Sequence, residues 1–271
     1  MDTARELTLQ VIEVLHYAAG VDEAIEFYRD KLGWPVIWQS PGNMAMLDAG
    51  GVYQLTLVAA KWTPGWERGQ PVPGPQLALE SRDLKADAAL LRARGLADVE
   101  VGGDPASMLT SAISDPAGIE LFVWQDTTDA PATKVVEEYK AGRQGAPLYS
   151  LGECLFFIDD MAAGERFYTG TLGFEITDRH GEVFSQMRRA GGPVLGIYHW
   201  PRWWEQPVSG DPPARVRLFL ECPDIAAEHA RQLAGGAAPG ELHDNQGGLS
   251  WFSTADPDGN LLTFWQYAPP A

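Results

Sequence analysis

The chain is written twice. EAIEFYRDKLGW at 23–34 and AGERFYTGTLGF at 163–174 both carry FYxxxLG and then an aromatic residue. SAISDPAGIELFVWQ at 111–125 and STADPDGNLLTFWQ at 253–266 share a DPxG turn and a closing WQ. KWTPGWERGQP at 61–71 and HWPRWWEQP at 199–207 both read WxxxWE and then QP. The three matches keep their order, at offsets of 140, 141 and 138 residues. A repeat of this period means two copies of one structural unit, which rules out most single-domain folds of this length. The expected division is a first domain over 1–128, a linker over 129–148 and a second domain over 149–271. The linker reading rests on DTTDAPATKVVEEYKAGRQGAPLY, polar and Pro-containing at its start, with one short helix expected around VVEEYKAG.

Each half repeats again. QVIEVLHY reads as a strand, VDEAIEFYRDKL as a helix by its apolar spacing, and WPVIWQS, MAMLDAG and VYQLTLVAA as three short strands. PQLALES is then a strand, LKADAALLRARG a helix ending at Gly95, and strands follow to GIELFVWQ. The second half runs the same way, from LGECLFFI to LLTFWQY. The pattern is βαβββ four times, an α+β chain.

Composition narrows the partners. A formal net charge of −17 argues against nucleic acid and against an anionic membrane surface. No apolar run is long enough to span a bilayer, and MDTARELTLQ lacks the features of a signal peptide. The two cysteines, Cys154 and Cys222, sit in apolar strands and read as reduced core residues, so a cytoplasmic location is expected. Monomer and homodimer are both compatible with the doubled chain.

FYxxxLG with a downstream DPxG, set in this element order, resembles the vicinal oxygen chelate superfamily of glyoxalase I, extradiol dioxygenases and bleomycin resistance proteins. The resemblance covers nearly the whole chain apart from the linker. It implies four βαβββ modules forming two domains, with half-open barrel cavities. It also implies where a metal would sit. The first-strand positions are Glu13 and Glu153, the second-module positions Gln76 and Arg217, the last-strand positions Phe122 and Thr263, and the fourth-strand positions approximately Gln54 and Leu195. No histidine stands at any of them. The resemblance implies an iron, zinc or nickel site that combines imidazole with carboxylate, and Arg217 places a fixed cation among the positions. The expectation is therefore no cofactor. The alternative is a carboxylate-only divalent site shifted to Glu120 and Glu153, suited to magnesium or calcium.

Glu13 and Glu153 are the candidate catalytic residues. A carboxylate in an apolar strand is costly without a partner, and it can act as a general acid or base. The structural alternative is that they pair with cations such as Arg217. Tyr17 and Phe157 share their strand faces by two-residue alternation, as Trp124 and Trp265 share those of Phe122 and Thr263. Trp62, Trp66, Trp200 and Trp204, with His199 at the start of its loop, are expected beside the cavity mouths, either stacking on a ligand or filling module interfaces. His16, His180, His229 and His243 read as core, turn or exposed helix residues. Gln54, Gln76, Glu120, Arg217 and Thr263 complete the expected ligand contacts. The favoured reading is a metal-free binder of an aromatic, cation-compatible small molecule. The alternatives are an isomerase, lyase or cyclase using Glu13 or Glu153, a metal-dependent glyoxalase or dioxygenase, and a scaffold whose cavities its own aromatics fill.

Overall fold

A computed structural model describes residues 12–18, 20–49, 53–59, 76–128, 149–189, 194–199, 216–244 and 248–267, without the side chains of 12–17 and 149–153. The expected linker helix, Trp62, Trp66, Trp200, Trp204 and the side chains of Glu13, His16, Tyr17 and Glu153 lie outside the described residues.

The βαβββ pattern is present four times. Module one comprises β1 (Ile12–Ala18), α1 (Val21–Glu26), β2 (Val36–Ser40), β3 (Met44–Asp48) and β4 (Tyr53–Ala59). Module two comprises β5 (Gln76–Ser81), α2 (Leu84–Ala93), β6 (Gly102–Asp104), β7 (Met108–Ser114) and β8 (Glu120–Asp126). Module three comprises β9 (Tyr149–Ile158), α3 (Met161–Arg166), β10 (Glu175–His180), β11 (Phe184–Arg188) and β12 (Val194–His199). Module four comprises β13 (Val216–Glu221), α4 (Ile225–Ala234), β14 (His243–Asp244), β15 (Leu249–Ala255) and β16 (Leu261–Tyr267). In every module the first strand borders the fourth, followed by the third and the second.

Contacts gather the chain into two units. One holds 154–271 together with the start of β1 up to Leu15; there the start of β1 is the strand beside β13. The other holds the rest of modules one and two together with the start of β9 up to Glu153, beside β5.

Local chemistry sets the helix starts. Asp83, Asp160 and Asp224 precede α2, α3 and α4, and each carboxylate accepts the backbone N–H three residues on, from Ala86, Ala163 and Ala227. FYxxxLG continues α1 and α3 as one wide turn over Phe27–Lys31 and Phe167–Thr171. There Leu32 N–H and Leu172 N–H donate five residues back, to the Phe27 and Phe167 carbonyls. Gly33 (φ 79°) and Gly173 (φ 73°) then turn the chain in a conformation that favours glycine. The widened turn aims the tyrosine of each motif into the core, where Tyr28 and Tyr168 have no exposed surface.

Each buried tyrosine bonds the aspartate of its own DPxG turn. Tyr28 Oη donates to Asp115 Oδ2 at 3.1 Å and Tyr168 Oη to Asp256 Oδ2 at 3.0 Å. The other oxygen of each aspartate closes the turn, accepting Ala117 N–H and Ile119 N–H in one half and Asp258 N–H and Asn260 N–H in the other. One carboxylate thus ties the helix of one module to the last hairpin of the next.

The halves differ in a second tie. Glu228 on α4, fully buried, accepts from Arg231 Nε at 3.0 Å, Gln232 Nε2 at 2.9 Å and Arg189 Nη2 at 3.3 Å. Arg231 Nη1 also donates to the Thr171 carbonyl at 2.6 Å, which links module four to the α3 turn. The matching position in the first half is Asp87, bonded to Ser81. There Lys31 donates to the Arg94 carbonyl and Arg94 Nη1 to the Lys31 carbonyl at 2.7 Å.

Two predictions follow from these ties. Burial and the charge of the bonded aspartate push Tyr28 and Tyr168 well above the ordinary 10.0. The folded state therefore holds these protons more tightly than the unfolded chain. The stabilisation is complete below that value and declines as pH rises past it. Tyr28→Phe with Tyr168→Phe is expected to flatten that alkaline decline in urea titrations, at a cost of about 1–3 kcal/mol per lost bond near neutrality. Burial works to raise the Glu228 carboxyl, but the bonds from Arg231 and the charge of Arg189 reverse this and hold it below the ordinary 4.5. Its contribution is present above that range and lost as pH falls through it. Glu228→Ala leaves Arg189 without its buried carboxylate and is expected to cost about 3–5 kcal/mol in denaturant unfolding.

Candidate ligand-binding faces

The sheets have one face under a helix and one face away from it. Gln125 Oε1 accepts Leu84 N–H at the start of α2, and Gln266 Oε1 accepts Ile225 N–H at the start of α4. These bonds mark the helix side of β8 and β16. By alternation, Glu120, Phe122 and Trp124, and Leu261, Thr263 and Trp265, occupy the opposite side. This is the side on which sequence alternation puts Trp124 and Trp265.

On module four that face is aromatic and half-open. His243 is registered with Trp251, and Trp251 with Trp265. The His243 and Trp251 rings stack with centroids 4.2 Å apart. Trp251 and Trp265 are half-buried. The indole Nε1 of Trp265 is buried with no acceptor among the described residues. Thr263 is buried and shares a 2.9 Å hydroxyl bond with Ser253. Arg217 is buried on the neighbouring strand, and its Nη1 donates to the Val216 carbonyl at 2.9 Å. Just past β13, Cys222 Sγ lies 3.5 Å from the Trp265 carbonyl, and burial pushes its thiol up to about 12.

Module three carries a second aromatic row. Phe157, Tyr198 and Phe184 lie across β9, β12 and β11, with the Phe184 and Tyr198 rings stacked at 4.3 Å and Phe157 at 6.3 Å from Tyr198. His180 extends the row, stacked on Phe184 at 5.7 Å. His199 belongs to the other face: its register partner is Ile158, and it alternates with Leu195 and Ile197 on the α3 side. Its Nδ1 is buried without a partner among the described residues. Sequence reading missed Tyr198, Phe184, Trp251 and His243. The available signal was their alternation with core residues, since each recurs every second position opposite a helix-facing side chain.

In the first half the same faces are more polar. On module one, Gln54 and Thr56 lie on the side of β4 away from Leu55 and Leu57, registered with Asp48 and Met46. Thr56 is buried, and its Oγ1 has no partner among the described residues. On module two, Gln76 is 7% exposed and its Nε2 donates to Glu120 Oε1 at 3.3 Å. The Gln76 Oε1 is buried without a donor among the described residues.

This fold is that of a known family, and the comparisons agree. The family model described as Glyoxalase/Bleomycin resistance protein/Dioxygenase superfamily matches residues 12–123, and a glyoxalase-like domain model matches residues 155–264. The chain belongs to this vicinal oxygen chelate superfamily. Among solved structures it is similar to glyoxalase I from Zea mays, at 14% identity and a TM-score of 0.69, covering 96% of this chain and 93% of that one. It is also similar to a putative dioxygenase from Bacillus subtilis subsp. subtilis str. 168, at 13% identity and a TM-score of 0.64, covering 97% and 87%. At these identities the likeness is one of fold. No curated protein matches the sequence. No helix among the described residues is long and apolar enough to cross a membrane.

The family's metal positions were tested against the side chains found there. Phe122 offers no donor atom, Thr263 is engaged with Ser253, and Arg217 brings a guanidinium. Gln76 already donates to Glu120, and the Leu195 side chain is apolar. Among the described residues no three His, Cys, Asp or Glu side chains come together. Glu13 and Glu153, whose side chains lie outside the described residues, complete the set; the described positions supply no imidazole or carboxylate of their own.

The raised Cys222 thiol gives a direct check on the packing beside the module four face. Cys222 is expected to resist a thiol-specific reagent in the native protein at neutral pH and to react on unfolding, followed by absorbance.

Proposed function

We propose that this protein binds a planar aromatic small molecule through organic contacts rather than through a metal. The single observation that carries the reading is Trp265. Its indole is half-buried on the sheet face away from the helix, registered with Trp251, and its Nε1 donor is buried with no acceptor among the described residues. An unpaired buried N–H costs about 1–3 kcal/mol, which a ligand acceptor at that point would recover. Stacking on a large ring adds about 0.5–1.5 kcal/mol beyond the apolar area buried. The ligand class is therefore a flat ring system with a carbonyl or ring-nitrogen acceptor at its edge. The stacked Phe157, Tyr198 and Phe184 row supports the same chemistry on module three.

Titration with flavone, a planar aromatic ketone, tests this through intrinsic tryptophan fluorescence. Saturable quenching is expected, with no such response to a saturated aliphatic ketone. Trp265→Phe keeps a ring but removes the donor, and is expected to weaken binding by about tenfold, the effect of losing one buried hydrogen bond. Equal responses to the aromatic and saturated ketones would refute the reading.

A further inference from the structure

The two halves correspond position by position along β5 and β8 and along β13 and β16. In the first half, β5 and β8 run parallel with Leu77 registered on Leu121, which sets Gln76 beside Glu120. In the second half, β13 and β16 run parallel with Leu218 registered on Leu262, which sets Arg217 beside Leu261 at the same two positions. A pair of hydrogen-bond acceptors in one half is thus an obligate donor and an apolar residue in the other. Two steps further along the same face, Trp124 or Trp265 is an indole in both.

We infer that the module two face carries a separate binding site for an organic cation with N–H donors, an ammonium, amidinium or guanidinium group, centred on Gln76 and Glu120. Three observations meet there. Gln76 is more than nine-tenths buried, and its Oε1 has no donor among the described residues. The amide cannot be satisfied by exchanging its oxygen and nitrogen, because Nε2 is the atom that reaches Glu120. The amide oxygen therefore asks for a donor. Glu120 is exposed on the same face, so its charge can be approached. Its register neighbours there are small or apolar: Ser114 across on β7, then Ala112 and Phe122 one step along. Of the other carboxylates that alternate onto this face, Glu80 is paired with Arg82 at 2.9 Å and Asp126 accepts Thr128 N–H at 2.7 Å. A cation with two N–H groups would give one to Gln76 Oε1 and face Glu120 with the other, in the geometry that suits charge-assisted bonds.

The site differs from the module four face in composition, because Arg217 and Leu261 stand there in place of Gln76 and Glu120. The chain would then present two faces of one fold with different ligand preferences, rather than two copies of one site.

Calorimetry with three probes of one shape tests this. Benzamidinium carries charge and N–H donors, benzamide carries N–H donors without charge, and benzoate carries the opposite charge and no donor. Benzamidinium is expected to bind best and benzoate not at all. Gln76→Met removes the amide while keeping the volume close, and is expected to weaken benzamidinium binding by about tenfold with no loss of thermal stability, because an unsatisfied group leaves the interior. Glu120→Gln, at an exposed position, is expected to erase the preference for benzamidinium over benzamide. Failure of wild-type protein to bind benzamidinium would overturn the proposal, as would benzoate binding at least equally well. So would Gln76→Met or Glu120→Gln leaving the probe ranking and affinities unchanged. Flavone quenching that persists without benzamidinium binding would leave the aromatic reading standing and this one fallen.

Discussion

The fold depends on one buried hydrogen bond made twice. Tyr28 and Tyr168 each leave the helix through a widened turn and meet an aspartate 87 or 88 residues further along the chain. Each aspartate spends its second oxygen on the turn that launches the last strand of the following module. Removing the tyrosine takes a donor from the buried carboxylate, and removing the carboxylate takes an acceptor from the buried phenol. The bond forms only when both modules of a half are folded, so it couples them. In the second half Asn260 adds to this, with Nδ2 bonding both the Asp256 carboxylate and the Phe157 carbonyl on β9. Phe157 is itself a member of an aromatic row, so the structural tie and the candidate binding face meet on one strand.

Around this shared joint the halves have diverged. The second half locks α4 to module three with Glu228 and two arginines, while the first uses reciprocal side chain to backbone bonds between Lys31 and Arg94. The open faces have diverged as well. Module four offers His243, Trp251 and Trp265 where module two offers Gly102, Thr110 and Trp124. The joint is kept in both halves, while the opposite faces carry different side chains.

Much of this was legible in the sequence, for identifiable reasons. The βαβββ order shows because helix and strand periods differ, and because Asp caps and Gly stops punctuate them. Trp124 and Trp265 could be placed because alternation along one strand needs no knowledge of its neighbours. The aromatic rows could not be placed, because they depend on register between strands. Phe184 meets Tyr198 only through the β11–β12 pairing, and His180 joins them past an irregularity between Ile176 and Asp178. His180 and His243 looked like turn residues, since Gly181 follows one and Asn245 comes shortly after the other, yet His180 ends β10 and His243 opens β14. His199 was expected at a cavity mouth, and the phase of β12 sets it on the helix side. The wide turn in FYxxxLG was also hidden, because its apolar spacing reads equally well as ordinary helix.

The proposed function has ligands held by rings and hydrogen bonds rather than by an ion. The most direct measurement is the calorimetric affinity for a planar aromatic ketone before and after exhaustive treatment with a chelator. The account predicts the same affinity in both. Loss of binding on chelation, restored by one equivalent of a divalent transition metal, would contradict it.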